Sequence, residues 1–282
     1  MIAVIDIGSN SVRLMLWADG KTILKRVLTT RLGAGIQNCC LSPASMLRSA
    51  EAVACLYQEA IKAGADKAYA FATAAVRSAE NKEEFLRLVK ERCPLTIDVV
   101  SGEKEASLAA FGALGKGDGI VIDVGGASSE VVCVKGGEMV YAKSFPIGAV
   151  TLRERCCDDE EKTEQFLKEL FSALPQMEGK AYAVGGTATA LACLSLQLKE
   201  YDAERVQNLY LSQTELNALK SKLFSLNVEE RKGMIGMEAA RADVIAGGAA
   251  IIATIANRLG PAGILISDRD NLEGYLIAKE LI

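Results

Sequence analysis

The chain has 282 residues, of which 50% are hydrophobic and 24% charged, with a formal net charge of -4. That balance is the one expected of a soluble globular protein with enough chain to bury one large or two medium cores, and it argues against a general nucleic-acid coat. Histidine is absent, which removes Ser-His-Asp and Cys-His catalysis and every His-ligated metal site. The eight cysteines form no C-x-x-C pair. With no secretory signal at the start, they read as free thiols in a reducing cytoplasm.

In chain order, residues 2–7, 12–17 and 21–28 predict three meandering strands, the first two joined by Gly8-Ser9-Asn10-Ser11. Residues 31–35 read as a loop. Ser42 and Pro43 have the chemistry of a helix cap and first turn, ahead of an apolar face at Met46, Ala50, Val53, Leu56 and Ala60. A strand at 67–72, an amphipathic helix at 80–92, a strand at 95–100 and a helix opening at Ser101 complete the first half. Residues 115–119, Gly-Lys-Gly-Asp-Gly, read as a domain linker.

The second half repeats this order, with strands at 120–124, 130–135 and 138–144 and helices at 149–155 and 158–174. A strand at 180–184 leads into a turn and helix at 185–192, and a helix covers 214–224. One long buried helix is expected at 239–259, a last strand at 263–266 and a closing helix at 273–282. Its most apolar stretch, 244–256, is too short to cross a bilayer. Strands alternating with helices in both halves predict an α/β fold. Residues 4–11 read VIDIGSNS and residues 121–128 read VIDVGGAS. This internal repeat predicts two related lobes, each aiming an acidic strand end and a phosphate-sized turn at a shared cleft.

The repeat carries the candidate chemistry. Gly8, Ser9, Asn10 and Ser11, with Gly125, Gly126, Ser128 and Ser129, supply N–H and hydroxyl donors suited to phosphoryl oxygens. Asp123 and Glu130, with Asp6 as their counterpart, are hard oxygen donors suited to magnesium. Arg77 follows a strand and a small-residue turn, so its fork can reach a phosphate. Glu105, at the start of a helix, is the candidate general base for in-line attack by water on a terminal phosphorus. Arg241 and Asp243 are expected to pair with each other.

Seven segments in order, VIDIGSNSVRL, ATAAVRSAEN, SGEKEA, VIDVGGASSE, FPIGAV, RADVIAGG and ISDRDNLEG, resemble the exopolyphosphatase/guanosine pentaphosphate phosphohydrolase (Ppx/GppA) family in its short two-domain form. The resemblance implies two actin-like lobes of the sugar kinase/Hsp70/actin, ribonuclease H-like type around a central cleft. It places residues 1–117 in the first lobe, with 271–282 returning to it, and 118–270 in the second. The C-terminal histidine–aspartate region of longer members is expected to be missing. The resemblance also implies magnesium, or manganese, as cofactor, and polyphosphate or guanosine pentaphosphate as substrate, with neither nucleic acid nor membrane as partner. Its members are often homodimers, and this sequence leaves the oligomeric state open. A phosphotransferase of the same fold and a non-catalytic (p)ppGpp or polyphosphate sensor are the rival readings.

Three departures stand out. Lys104 replaces a Glu, and Ala127 replaces a third Gly, which would strain the turn if that position needs positive φ. Asp270, Asn271 and Leu272 replace the Gly, Leu and Arg of the family's SDxGLREG, so that no catalytic role is assigned to Asp268 or Glu273.

Overall fold

The computed structural model describes residues 1–34 and 39–282, so the expected loop at 31–35 ends outside the described residues. The chain forms two compact units. One comprises Met1–Glu105 with Tyr275–Ile282, and the other Ala106–Gly274.

The first unit begins with β1 (Ile2–Ile7), β2 (Ser11–Ala18) and β3 (Lys21–Thr29), followed by α1 (Pro43–Lys62). Ser42 caps α1 as expected, its hydroxyl accepting from the Ser45 N–H at 3.2 Å. Then come β4 (Lys67–Ala72), the short α2 (Ala74–Arg77), α3 (Lys82–Lys90) and β5 (Ile97–Val99). α4 (Gly102–Leu114) opens in this unit and continues into the other. The sheet order is β3-β2-β1-β4-β5, antiparallel through β1–β2–β3 and parallel from β1 to β4 and β5.

The second unit continues with β6 (Gly119–Val124), β7 (Ser129–Lys135), β8 (Glu138–Phe145), α5 (Ala149–Cys156) and α6 (Glu160–Leu170). β9 (Ala181–Val184), α7 (Gly185–Leu196), α8 (Ala203–Val206), β10 (Tyr210–Ser212), α9 (Gln213–Phe224) and α10 (Val228–Lys232) follow. Last are α11 (Ile245–Leu259), β11 (Gly263–Ile266) and α12 (Asn271–Ala278). The sheet order is β10-β11-β9-β6-β7-β8. Without the added edge strand β10 it repeats the first sheet, strand for strand and direction for direction. This order, third-second-first-fourth-fifth with an antiparallel second strand, is the actin-like, ribonuclease H-like α/β arrangement anticipated from the sequence.

Strand alternation decides what each face holds. In β6, Ile120, Ile122 and Val124 join the larger core beneath α7 and α11, whereas Val121 packs with Val132, Val184 and Ala106, Ala109 and Ala110 of α4. Asp123 shares the face of Val121, so a carboxylate stands at the end of an otherwise apolar strand. In the first unit Ala3, Ile5 and Ile7 join a core with Leu14 and Leu16, and Asp6 shares the opposite face with Val4.

Three expectations need correction. The helix expected at 239–259 is split into a 3-10 turn (Ala239–Arg241) and α11, because Asp243 turns to Arg153 and Arg241 to Glu238 instead of continuing one apolar face. The same two ion pairs give Arg241 and Asp243 partners beyond the pairing expected between them. The turn expected at 185 is absent, since α7 starts directly where β9 ends. The closing helix starts earlier, at Asn271, where Asp270 accepts from the Leu272 N–H at 3.0 Å and Glu273 accepts from the Asp270 N–H at 3.1 Å.

All eight cysteines are free thiols, and no described helix is long and apolar enough to cross a membrane. Within the second unit α4 and the start of α12 meet through glycines. A methyl group at Gly274 would overlap the Leu108 carbonyl, and one at Gly112 the Asp270 carbonyl. Gly274→Ala is therefore expected to lower stability by about 1–3 kcal/mol, read as a lower midpoint in thermal and urea melts. An unchanged midpoint would mean that this approach is not tight.

Candidate active site

The first hairpin closes at Gly8, whose N–H donates to the Ser11 carbonyl at 3.0 Å. The carbonyl of Asn10 accepts from Thr30 and Arg31, and that of Ser9 from Gly33 at 2.8 Å, so the turn is fastened to the segment after β3. Ser9, Asn10 and Ser11 are buried, and Asn10 Oδ1 has no hydrogen-bond partner among the described residues. The second hairpin closes identically, from Gly125 N–H to the Ser128 carbonyl at 3.0 Å. Its carbonyls cap α5: Ala149 donates to Gly125 at 2.9 Å and Val150 to Gly126 at 2.8 Å. The N–H groups of Gly8 and Gly125 are thus engaged inside their own turns. So is the Ser129 hydroxyl, which donates to the Ile147 carbonyl at 2.6 Å. Ala127 has no positive φ, so alanine there carries no backbone strain.

Antiparallel register makes the two hairpins differ in one decisive way. Asp6 lies opposite Arg13, and Asp123 lies opposite Glu130. Directly opposed residues point to the same face. Arg13 accordingly grips Asp6, with Nε donating to Oδ2 at 3.0 Å and a second contact from Nη2. Asp123 and Glu130 instead bring two buried carboxylates to one face. Ser144, opposite Glu130 on β8, donates its hydroxyl to Oε1 at 2.6 Å. Asn271 donates Nδ2–H to Asp123 Oδ2 at 2.9 Å.

Glu105 lies in the first turn of α4, whose start is capped by the Ser101 hydroxyl accepting from Lys104 N–H at 3.1 Å. Its carboxylate is buried, and Arg77 Nη1 donates to Oε2 at 2.6 Å and to the Val100 carbonyl at 3.1 Å. The other guanidinium N–H groups of Arg77 have no partner among the described residues. Burial pushes the Glu105 carboxyl above the usual carboxylate range. Arg77 pulls against this, the neighbouring charge of Asp6 adds to it, and the Thr73 hydroxyl opposes it. The first unit therefore brings Glu105, Arg77, Asp6 and Thr73 together, and the second unit brings Asp123, Glu130, Ser144 and Asn271 together.

Arg13, Thr73, Ser144 and Asn271 were not visible as site residues from sequence. The repeat itself held the signal for Arg13, since it occupies the position of Glu130. Among the described residues no group of three or more acidic, Cys or His side chains forms a metal cluster.

A duplicated strand–turn–strand with an acidic strand end, set in two sheets of the same order, defines a two-unit α/β protein of the actin-like, ribonuclease H-like class. Residues 4–281 match the Ppx/GppA phosphatase family, and the chain belongs to it. Exopolyphosphatase 2 of Mycobacterium tuberculosis is 26% identical over 312 residues, covering 98% of this chain and 98% of its own. A guanosine-5'-triphosphate,3'-diphosphate pyrophosphatase of Aeromonas hydrophila is 28% identical over 295 residues, which span 98% of this chain and 58% of that protein. The crystal structure of the Aquifex aeolicus Ppx/GppA family member superposes with a TM-score of 0.82 at 30% identity, covering 99% of this chain and 97% of that one.

The raised Glu105 carboxyl has a consequence for stability. The native state takes up its proton at higher pH than the unfolded chain, so the ionised form is the costly one in the fold. Stability contributed by this group is lowest at high pH and recovers as pH falls through the native value toward the ordinary 4.5. Glu105→Gln mimics the protonated form. Its melting temperature should equal or exceed that of the wild type at about pH 8, with the gap narrowing toward about pH 5. A gap independent of pH would contradict this assignment.

Proposed function

We propose that the chain is a phosphohydrolase that releases terminal phosphate from inorganic polyphosphate or guanosine pentaphosphate. One observation carries the reading: a buried Glu105 carboxylate with raised proton affinity, held at 2.6 Å by an arginine that keeps further donors unengaged. Family membership supplies the reaction class, and the names of the Mycobacterium and Aeromonas relatives supply the two substrates.

In this reading Glu105 orients a water molecule and accepts its proton as the oxygen attacks the terminal phosphorus in line. Arg77 holds Glu105 through Nη1 and offers its remaining N–H groups to a phosphoryl oxygen. The hydroxyls of Ser9, Ser11 and Ser128 and the N–H groups of residues 9, 10, 126 and 127 are the donors for the phosphate chain. Gly8, Gly125 and Ser129 shape the turns that present them.

Asp123 and Glu130 fit a magnesium ion chemically. They are two hard oxygen donors on one face of adjacent strands, and magnesium is commonly held by one or two carboxylates plus substrate phosphates and water. Asp6 fits less well, because Arg13 already balances its charge. Bound there, magnesium or manganese would neutralise charge on the phosphoryl oxygens.

The test is phosphate release from defined polyphosphates and from guanosine pentaphosphate, with and without magnesium, for wild type and Glu105→Gln. The variant should keep substrate binding and lose about 10²–10⁴-fold in turnover, and chelation should stop the wild type. Unchanged hydrolysis by the variant would remove Glu105 from the mechanism. Binding without release would favour a sensor, and ATP formation from polyphosphate and ADP a phosphotransferase.

A further inference from the structure

Residues 270–272 depart from the family pattern, yet the segment is among the most firmly held in the second unit. Asp270 and Glu273 cap the start of α12 reciprocally, and α4 closes on it through Gly112 and Gly274 with no room for a methyl group. Asp270, Asn271 and Glu273 are all buried. From this fixed base Asn271 reaches Asp123, 148 residues earlier, and donates to its Oδ2 at 2.9 Å. The other carboxylate oxygen is confined as well. Gly185 has φ +80°, and a β-carbon there would lie 2.7 Å from Asp123 Oδ1. The amide of Asn271 has a second end. Its carbonyl oxygen Oδ1 is buried and has no hydrogen-bond partner among the described residues.

A buried amide with one end bonded and one end empty is costly unless something fills it. Leucine, the family residue, is close to asparagine in size and would leave no such group. We infer that Asn271 is a positioning residue: it fixes the orientation of the Asp123 carboxylate and offers Oδ1 as acceptor to a water or hydroxyl bound beside that carboxylate. The inference rests on the phosphohydrolase reading only for the role it gives Asp123. Residues that orient a metal-binding or reacting carboxylate in this way typically change affinity or activity by about 10–100-fold when removed.

The experiment compares wild type, Asn271→Leu and Asn271→Asp, full chain in each case. Three readouts are taken: manganese binding by calorimetry and by the electron paramagnetic resonance of free ion, kcat against KM for phosphate release, and thermal melts. Asn271→Leu removes both the donor to Asp123 and the unfilled acceptor, two changes that oppose each other, so its melting temperature should change little. Its manganese affinity and kcat should fall about 10-fold or more, with KM nearly unchanged. Asn271→Asp has the same shape but loses the amide donor, so its kcat should fall as well.

Equal manganese binding by wild type and Asn271→Leu, or no binding by either, would overturn the inference. So would a loss of activity that merely tracks a lowered melting temperature. Wild type that releases no phosphate would sink the phosphohydrolase reading instead, and the manganese comparison would still decide the role of Asn271.

Discussion

An ionised carboxylate taken out of water must be met by donors or opposite charge, or it will take up a proton. Asp6, Glu105, Asp123 and Glu130 are all at most 6% exposed, and the local architecture around them follows from how each is met. Asp6 has the guanidinium of Arg13 and Glu105 that of Arg77. Asp123 and Glu130 have the amide of Asn271 and the hydroxyl of Ser144, which are neutral. In one unit each acid is gripped by an arginine, and in the other an amide and a hydroxyl donate to the acids. Two buried carboxylates side by side on one face set this hairpin apart from its twin, where an arginine stands opposite the aspartate.

The duplication makes this contrast interpretable. The strands pair in the same order and register in both units, and each turn closes from its first glycine to the third residue on. The difference that changes the charge facing the strand-end aspartate is one register position, arginine in one copy and glutamate in the other. A change at that position reverses the sign of the charge facing the strand-end aspartate without altering the backbone. The scaffold is held constant by apolar alternation in β1 and β6, so the chemistry of the hairpin could diverge while its geometry did not.

Much of this was readable in advance because the governing signals are local. Alternating apolar residues marked the strands on either side of each turn. Ser42 and Pro43 marked the start of α1, and the two Gly/Ser turns marked the repeat. The three-residue β10 was not readable. It is an edge strand paired only with β11, and three residues carry no periodicity. The long helix expected at 239–259 failed for a different reason. Its apolar count was right, but the direction of Arg241 and Asp243 is set by Glu238 beside one and by Arg153, 90 residues away, beside the other. Site partners were lost in the same manner. Thr73, Ser144 and Asn271 act through tertiary register, which no window of sequence contains, whereas Arg13 lay within the repeat and was missed there.

The segment at 270–272 shows how a departure from a family pattern can mislead. Losing glycine at 270 removes backbone freedom, but Asp270 is a good helix cap and meets Glu273 in a reciprocal pair. Losing leucine at 271 removes apolar area, yet the position faces a buried carboxylate, where an amide donor is worth more than a methyl group. The two substitutions are consistent with each other: the cap fixes where the helix begins, and that start point fixes where the amide points. Read residue by residue the motif is damaged. Read as a cap followed by a donor, it is a different solution to holding Asp123 at the end of an apolar strand.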